Sequence, residues 1–303
     1  MIDSLVHVFL VLLFPPLLLG VINKTKAKFA GRKGAPFLQP YHDIVKLLRK
    51  SMVLSSTTTW VFRLGPVVSL ASILAASALV PLGNSRAPIS FVGDFLLFAY
   101  LFGLARFFTT SASLDTGSAF EGMGTARELT FAALTEPAMF FAFLVLARLS
   151  GSLALGGMLR SASSIAYPVG SAAPFVMIAL GLFIILLAEN SRIPVDDPTT
   201  HLELTMIHEV MVLDHSGPLL GIIEYASALK LFVLGSVLLD VVLPWRFGNP
   251  LFDWPIFIAG MLGLALLVGA IESLIARLRM PRVPSLLIAA ILLCGSAFIM
   301  LVR

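Results

Sequence analysis

Charge is scarce in this chain: 13% of its 303 residues are Asp, Glu, Lys or Arg, about half the roughly 25% usual in soluble domains. With 58% hydrophobic residues and a mean hydropathy of +0.97, a soluble core could not hide so much apolar surface. Lipid must solvate much of it. Cysteine is all but absent. The one thiol, Cys294, sits in an apolar run, which excludes a disulfide or a Cys-ligated iron–sulfur cluster built within the chain. No cofactor is expected in this chain, and any redox centre belongs to partners. Also missing are a Walker A loop, an H-E-x-x-H pair, a nucleophile elbow and any internal repeat. Nucleotide hydrolysis, zinc proteolysis, α/β-hydrolase chemistry and an inverted-repeat transporter therefore find no support. The N-terminus lacks a basic run and a small-residue cleavage site, so the first apolar stretch reads as a retained span and not a signal peptide.

What is present is an all-α polytopic membrane pattern. Stretches of about 20 mostly apolar residues place eight spans near 3–23, 64–82, 90–109, 128–148, 172–189, 218–242, 254–275 and 284–302. The whole chain, 1–303, reads as one transmembrane domain, with 151–170 as a small-residue-rich external loop. Loops after the odd-numbered spans hold 14 Lys and Arg, those on the other side 5. That bias puts the basic loops in the cytoplasm and both termini outside. The largest group of basic residues, 9 of 21, flanks apolar spans in one loop, which points to lipid headgroups as a partner and not to nucleic acid.

Two cytoplasmic segments are more than connectors. In 24–63, Tyr41 to Lys50 reads as a short amphipathic helix with Ile44, Val45, Leu47 and Leu48 on one side, suited to the membrane interface. It could be a topological anchor or a docking surface. In 189–217, Asp197 is a good N-cap and Pro198 suits a first helical position. His201, Thr205, His208 and Glu209 then form a polar stripe, and Gly217-Pro218 ends the helix. No metal site is expected: His201 and His208 stand about 10 Å apart along a helix.

Ionisable groups inside spans cost about 2.5–3.5 kcal/mol each on insertion scales. They are Asp94, Arg106, Glu136, Glu189, Glu224, Lys230, Asp240 and Glu272. Asp94 and Asp240 sit near span ends, where the interface would solvate them. Pro137 frees a backbone carbonyl of the preceding turn, to which a protonated Glu136 could donate. Glu224 and Lys230 lie on nearly opposite faces of one helix and must find partners on others. Together these groups form either an ion path or a set of structural interhelical ion pairs. The glycines from Gly117 to Gly124 lie between spans and read as a flexible connection or a tight helix-packing turn.

Specific motifs complete the sequence. Gly31-Arg32-Lys33-Gly34, Leu38-Gln39-Pro40 and Asp43-Ile44-Val45-Lys46-Leu47-Leu48 resemble the first cytoplasmic loop of the complex I subunit 1 family. Ala188-Glu189-Asn190-Ser191-Arg192-Ile193-Pro194-Val195-Asp196, followed by Glu203-Leu204, is similar to that family's most recognisable loop. The quinone-reducing branch has a longer first loop, and acidic residues where Thr199 and His201 stand here. Leu114 to Ser118, Gly122-Met123-Gly124 with Arg127-Glu128, and Asp196 to Glu209 look instead like the membrane subunit of formate hydrogenlyase and other energy-converting [NiFe] hydrogenases.

The resemblance implies a non-catalytic membrane subunit that anchors a redox arm and couples it to proton or sodium movement. Its implied partners are peripheral subunits carrying iron–sulfur clusters and a nickel–iron centre, and an antiporter-like membrane subunit, in a prokaryotic cytoplasmic (inner) membrane. A charge relay is expected through Glu136, Glu189, Glu203, Glu224 and Lys230. Arm docking and loop structure fall to Arg32, Gln39, Asp43, Arg127, Arg192, Asp196, Asp197, His201, His208 and Glu209. The alternatives are a quinone-site subunit of an NADH-quinone oxidoreductase and a passive membrane scaffold.

Overall fold

A computed structural model describes residues 2–83, 85–164, 172–196, 206–243 and 250–302. Its helices are α1 (Ile2–Leu13), α2 (Pro15–Phe29), α3 (Gln39–Leu48), α4 (Trp60–Ser77), α5 (Asp94–Asp115) and α6 (Ala119–Ser150). They continue as α7 (Leu155–Ser164), α8 (Ala172–Glu189), α9 (His208–Met211), α10 (Gly217–Val242), α11 (Pro250–Leu274) and α12 (Val283–Val302). No strand occurs among the described residues. All eight expected spans are helical. Six are long and apolar enough to cross a membrane on their own, and a seventh is the bent pair α1–α2. The remaining one, in α8, is a shorter apolar helix over Ala173–Glu189, so a count of eight is approximate.

The first span is broken where the sequence dictates. α1 and α2 meet at 48° because Pro15 and Pro16 have no N–H to give the carbonyls four residues back. Those carbonyls still need donors. The Tyr225 hydroxyl of α10 donates to Leu12 O at 2.9 Å and reaches Val11 O at 3.4 Å, and the Tyr41 hydroxyl of α3 donates to Leu13 O. The kink thus becomes the socket that seats α3 between α2 and α10. Leu47, Leu48 and the Ile44 backbone carbonyl lie against Gly221 on α10, while Val45 and about half of Leu48 stay exposed. The apolar face of α3 is therefore shared between the protein and its surroundings.

Three expectations need correction. Lys24, Lys26 and Lys28 belong to the last turns of α2 and not to a loop, where cations meet the helix's negative end favourably. The 151–170 loop contains α7. No helix runs up to Gly217: His208–Met211 is one short turn, and Gly217-Pro218 opens α10 behind Ser216. Proline at a first helical turn costs no hydrogen bond, so the dipeptide suits a start as well as a stop. α6 is also longer than expected. Its 32 residues reach about 48 Å at 1.5 Å per residue, more than the roughly 30 Å hydrocarbon core.

α10 is the innermost span. Of its most apolar stretch 67% is buried within the chain, against 22% for the span over Met280–Val302. Around it α4, α5, α6 and α8 enclose the polar centre described below. The 31–38 segment folds back along α2 so tightly that a Cβ on Gly20 would lie 2.0 Å from Phe37 O. Gly20→Ala is expected to displace that segment at a cost of about 1–3 kcal/mol. A lower melting temperature and faster proteolysis within 31–38 would show it; an unchanged melting temperature would refute the close approach.

Candidate functional site

Four helices bring their ionisable residues to one point. Arg106, on α5, has a side chain only 8% exposed. Its guanidinium donates from one terminal nitrogen to Glu136 on α6 and from the other to Glu189 at the end of α8, at 2.5 Å. Its Nε faces Glu128, also on α6, at 3.6 Å. Glu189 takes two further partners: Thr135 Oγ1 donates to Oε1 at 2.8 Å, and Lys230 Nζ on α10 lies 2.8 Å from Oε2. An arginine fork suits this role because its planar donors can hold two carboxylates at once. Five charged groups result, three carboxylates against two cations. Fully ionised they leave one negative charge unbalanced, and a single proton shared among the carboxylates would balance it.

This centre has two openings. On one side lies a cavity of about 70 Å³ lined by Arg106, Glu128, Glu189, His208, Lys230 and Ser191 among others, roomy enough for a few waters and rich in polar partners. On the other side the Glu136 side chain is 46% exposed, in an open groove with Pro137, Phe140 and Phe141 on the outer face of α6. Its carboxylate pairs with Arg106 on another helix, in place of the hydrogen bond back to its own helix that Pro137 offers.

The loop after α8 leads from the cavity to the chain's basic end. Asp196, 1% exposed, pairs with Arg277 at 2.8 Å and accepts the backbone N–H of Ile207 and His208, each at 3.2 Å. Arg192 donates to Glu272 at 3.3 Å, and Lys26 reaches the same carboxylate at 2.9 Å. Leu278 N–H closes onto Pro194 O at 3.0 Å. The loop is thereby tied to the ends of α2 and α11. α9 is held close to α6 at Gly124, where a Cβ would come within 2.3 Å of Val210 Cγ1. That is the helix-packing alternative for the glycine-rich stretch. Burial, with the Lys230 charge adding to it, pushes the His208 imidazole down to about 4, so it stands neutral at the cavity.

Of the expected relay, Glu189 pairs with Lys230 directly, and Glu136 joins them through Arg106. Glu224 does not: it is exposed on α10 and makes no ion pair among the described residues. Glu203, Asp197 and His201 lie outside the described residues. Of the expected docking set, Arg192, Asp196 and His208 belong to the loop network, with Glu209 beside His208 in α9. Arg127 donates to Met206 O at 2.8 Å, holding the 206–212 segment to α6. Gln39 donates to Asp43 at 2.8 Å within α3. Arg32 lies at a separate cleft between α2 and α11. Asp94 is fully buried at the start of α5, where it accepts Leu155 N–H and Phe91 N–H. It is a cap inside the protein and not a residue solvated at the interface.

Sequence reasoning missed that Arg106 is the hub, met Glu128 only as part of a motif, and gave Thr135 no role. A signal existed: a lone cation deep in an apolar span must have anionic partners. Glu128 and Thr135, seven residues apart, share a helix face.

Formate hydrogenlyase subunit 4 of Escherichia coli (strain K12) is 29% identical over 275 residues, covering 89% of this chain and 88% of that protein. Hydrogenase-4 component C of the same strain is 31% identical over 80% of this chain and 75% of its own length. An NADH-quinone oxidoreductase subunit of Polaromonas naphthalenivorans (strain CJ2) is 26% identical over 70% of this chain and 62% of that protein. The fold is shared with a chain of an archaeal respiratory membrane complex, the membrane-bound sulfane sulfur reductase, at a TM-score of 0.84 and 18% identity over 99% of this chain and 98% of that one. The family model described as NADH dehydrogenase matches residues 2–303, and the chain belongs to that family.

Proposed function

We propose that this chain is the membrane-anchoring and ion-coupling subunit of a hydrogenase-type respiratory complex. The observation that carries the coupling role is the continuous polar route. It runs from Asp196 and His208 at the loop, through the cavity, to Glu189, Arg106 and Glu136 at the outer face of α6. With one negative charge left over among five groups, the route can take up and release a single proton without rebuilding its ion pairs. The anchoring role is supported by relatives named as components of formate hydrogenlyase and hydrogenase-4. The proposed partners are a peripheral arm whose subunits carry the iron–sulfur clusters and nickel–iron centre, docked on 24–63 and 189–217, and an antiporter-like membrane subunit. The proposed setting is a prokaryotic inner membrane, and the 14 Lys and Arg after the odd-numbered spans, against 5 on the other side, support those loops inside and both termini outside. A quinone-site subunit is the weaker alternative, because the NADH-quinone oxidoreductase relative from Polaromonas naphthalenivorans matches at lower identity over less of the chain.

Glu136→Gln tests the coupling role. The variant keeps the shape of the side chain and one hydrogen bond to Arg106 but cannot carry the proton. In inverted vesicles, redox turnover and recovery of the peripheral subunits should be retained, while turnover-driven acidification falls by about tenfold or more. Unchanged acidification would remove Glu136 from the path.

A further inference from the structure

The ends of α2 and α11 lie side by side, because Gly269 lets α11 approach Ile22 and Thr25 closely. Between them opens a cleft of about 660 Å³, whose walls include Lys26, Phe29, Arg32, Ser273 and Leu274. At its base the Glu272 side chain is fully buried and already held by two cations, Lys26 at 2.9 Å and Arg192 at 3.3 Å. Arg32 on the rim is exposed and has no ion-pair partner among the described residues; the same holds for Lys28 and Lys33 nearby. The cleft therefore carries positive charge that no carboxylate of the described chain balances.

Its flanks are apolar. Phe29 is 55% exposed, Leu274 74% and Ile275 47%, and Leu274 is the last residue of the span over Phe252–Leu274. Unpaired cations directly beyond the end of a span, above exposed apolar side chains, match the layering of a lipid: phosphate outermost, acyl chains beneath. A soluble partner would meet the cations but would not call for bare apolar side chains on the flank of a membrane helix.

We propose that this cleft binds the headgroup of an anionic phospholipid, with the Arg32 guanidinium on its phosphate and the acyl chains along Phe29 and Leu274. The guanidinium fork matches two phosphate oxygens. Lys26 and Arg192 remain on Glu272 and supply the surrounding positive field. Such a lipid would brace the 31–38 segment from the membrane side, independently of any ion path.

The test uses the purified complex in nanodiscs of phosphatidylcholine with a minor fraction of phosphatidylglycerol. Native mass spectrometry would count the phosphatidylglycerol retained after extraction. Arg32→Gln should lower retention by about fivefold, the factor that one basic residue near an anionic surface provides. Arg32→Lys should lower it less, and Arg148→Gln, an exposed cation at the end of α6 away from the cleft, should leave it unchanged. Phosphatidylglycerol should also raise the melting temperature of the wild type more than that of Arg32→Gln. Equal retention by wild type and Arg32→Gln would overturn the proposal. So would equal enrichment of phosphatidylcholine, or loss of a peripheral subunit from Arg32→Gln with phosphatidylglycerol still bound.

Discussion

Arg106→Gln is expected to destabilise the protein by about 3–5 kcal/mol, the range for removing one partner of a buried ion pair. The loss should be this large because Arg106 serves three carboxylates at once: it donates to Glu136 and Glu189 and faces Glu128. Without it Lys230 alone faces three negative charges in a medium that solvates them poorly. Thermal unfolding of the detergent-solubilised complex would report the change. Two further variants keep the result interpretable if the single one fails to assemble. Arg106→Lys keeps the charge but not the fork, and should recover part of the loss. Arg106→Gln combined with Glu189→Gln removes charge from both sides and should cost less than the two single changes added together, as coupled sites do. Additive losses would mean that the pair, although close, is not energetically linked.

How much of this centre was legible in the sequence follows from what each signal measures. Hydropathy reports the surroundings of a helix, so all eight apolar segments were found. Composition also exposed Glu136, Glu189 and Lys230 as charges out of place in lipid. Partnership between helices is another matter. Arg106 and Glu189 are 83 residues apart, Arg192 and Glu272 80, and no local period encodes such pairs. Arg106 therefore read only as one more costly charge inside a span, when it pairs α5 with both α6 and α8. Pro15-Pro16 announced a break, but not that Tyr41 and Tyr225 would serve the freed carbonyls. At Gly217-Pro218 the same residues are good at ending one helix and starting the next. Only the burial of the flanking segments decides between them.

Acid should weaken the loop side of this network, and the sign follows from two histidines. Burial against the face of Phe62, 4.0 Å away centroid to centroid, pushes the His215 imidazole down to about 4; His208, with Lys230 beside it, is also pushed down to about 4. Their ordinary value is 6.5. Both are thus neutral in the folded protein at neutral pH, and the unfolded chain binds the extra protons first. Stability is fully present above about pH 6.5 and falls as pH drops towards 4, by about 2 kcal/mol for His215 at pH 5. Melting temperatures of the purified complex at about pH 7.5 and pH 5 would measure the slope. His215→Phe should preserve stacking on Phe62, remove one of the two titrations and flatten the slope by about half. A slope unchanged in that variant would move the acid sensitivity to His208 or elsewhere. The distinction matters for the proposed path. His215 lies between α9 and α10, stacked on Phe62, whereas His208 lines the cavity beside Lys230. A proton taken up by His208 would therefore loosen the same segment, Met206 to Val212, that Arg127 and Asp196 hold against α6.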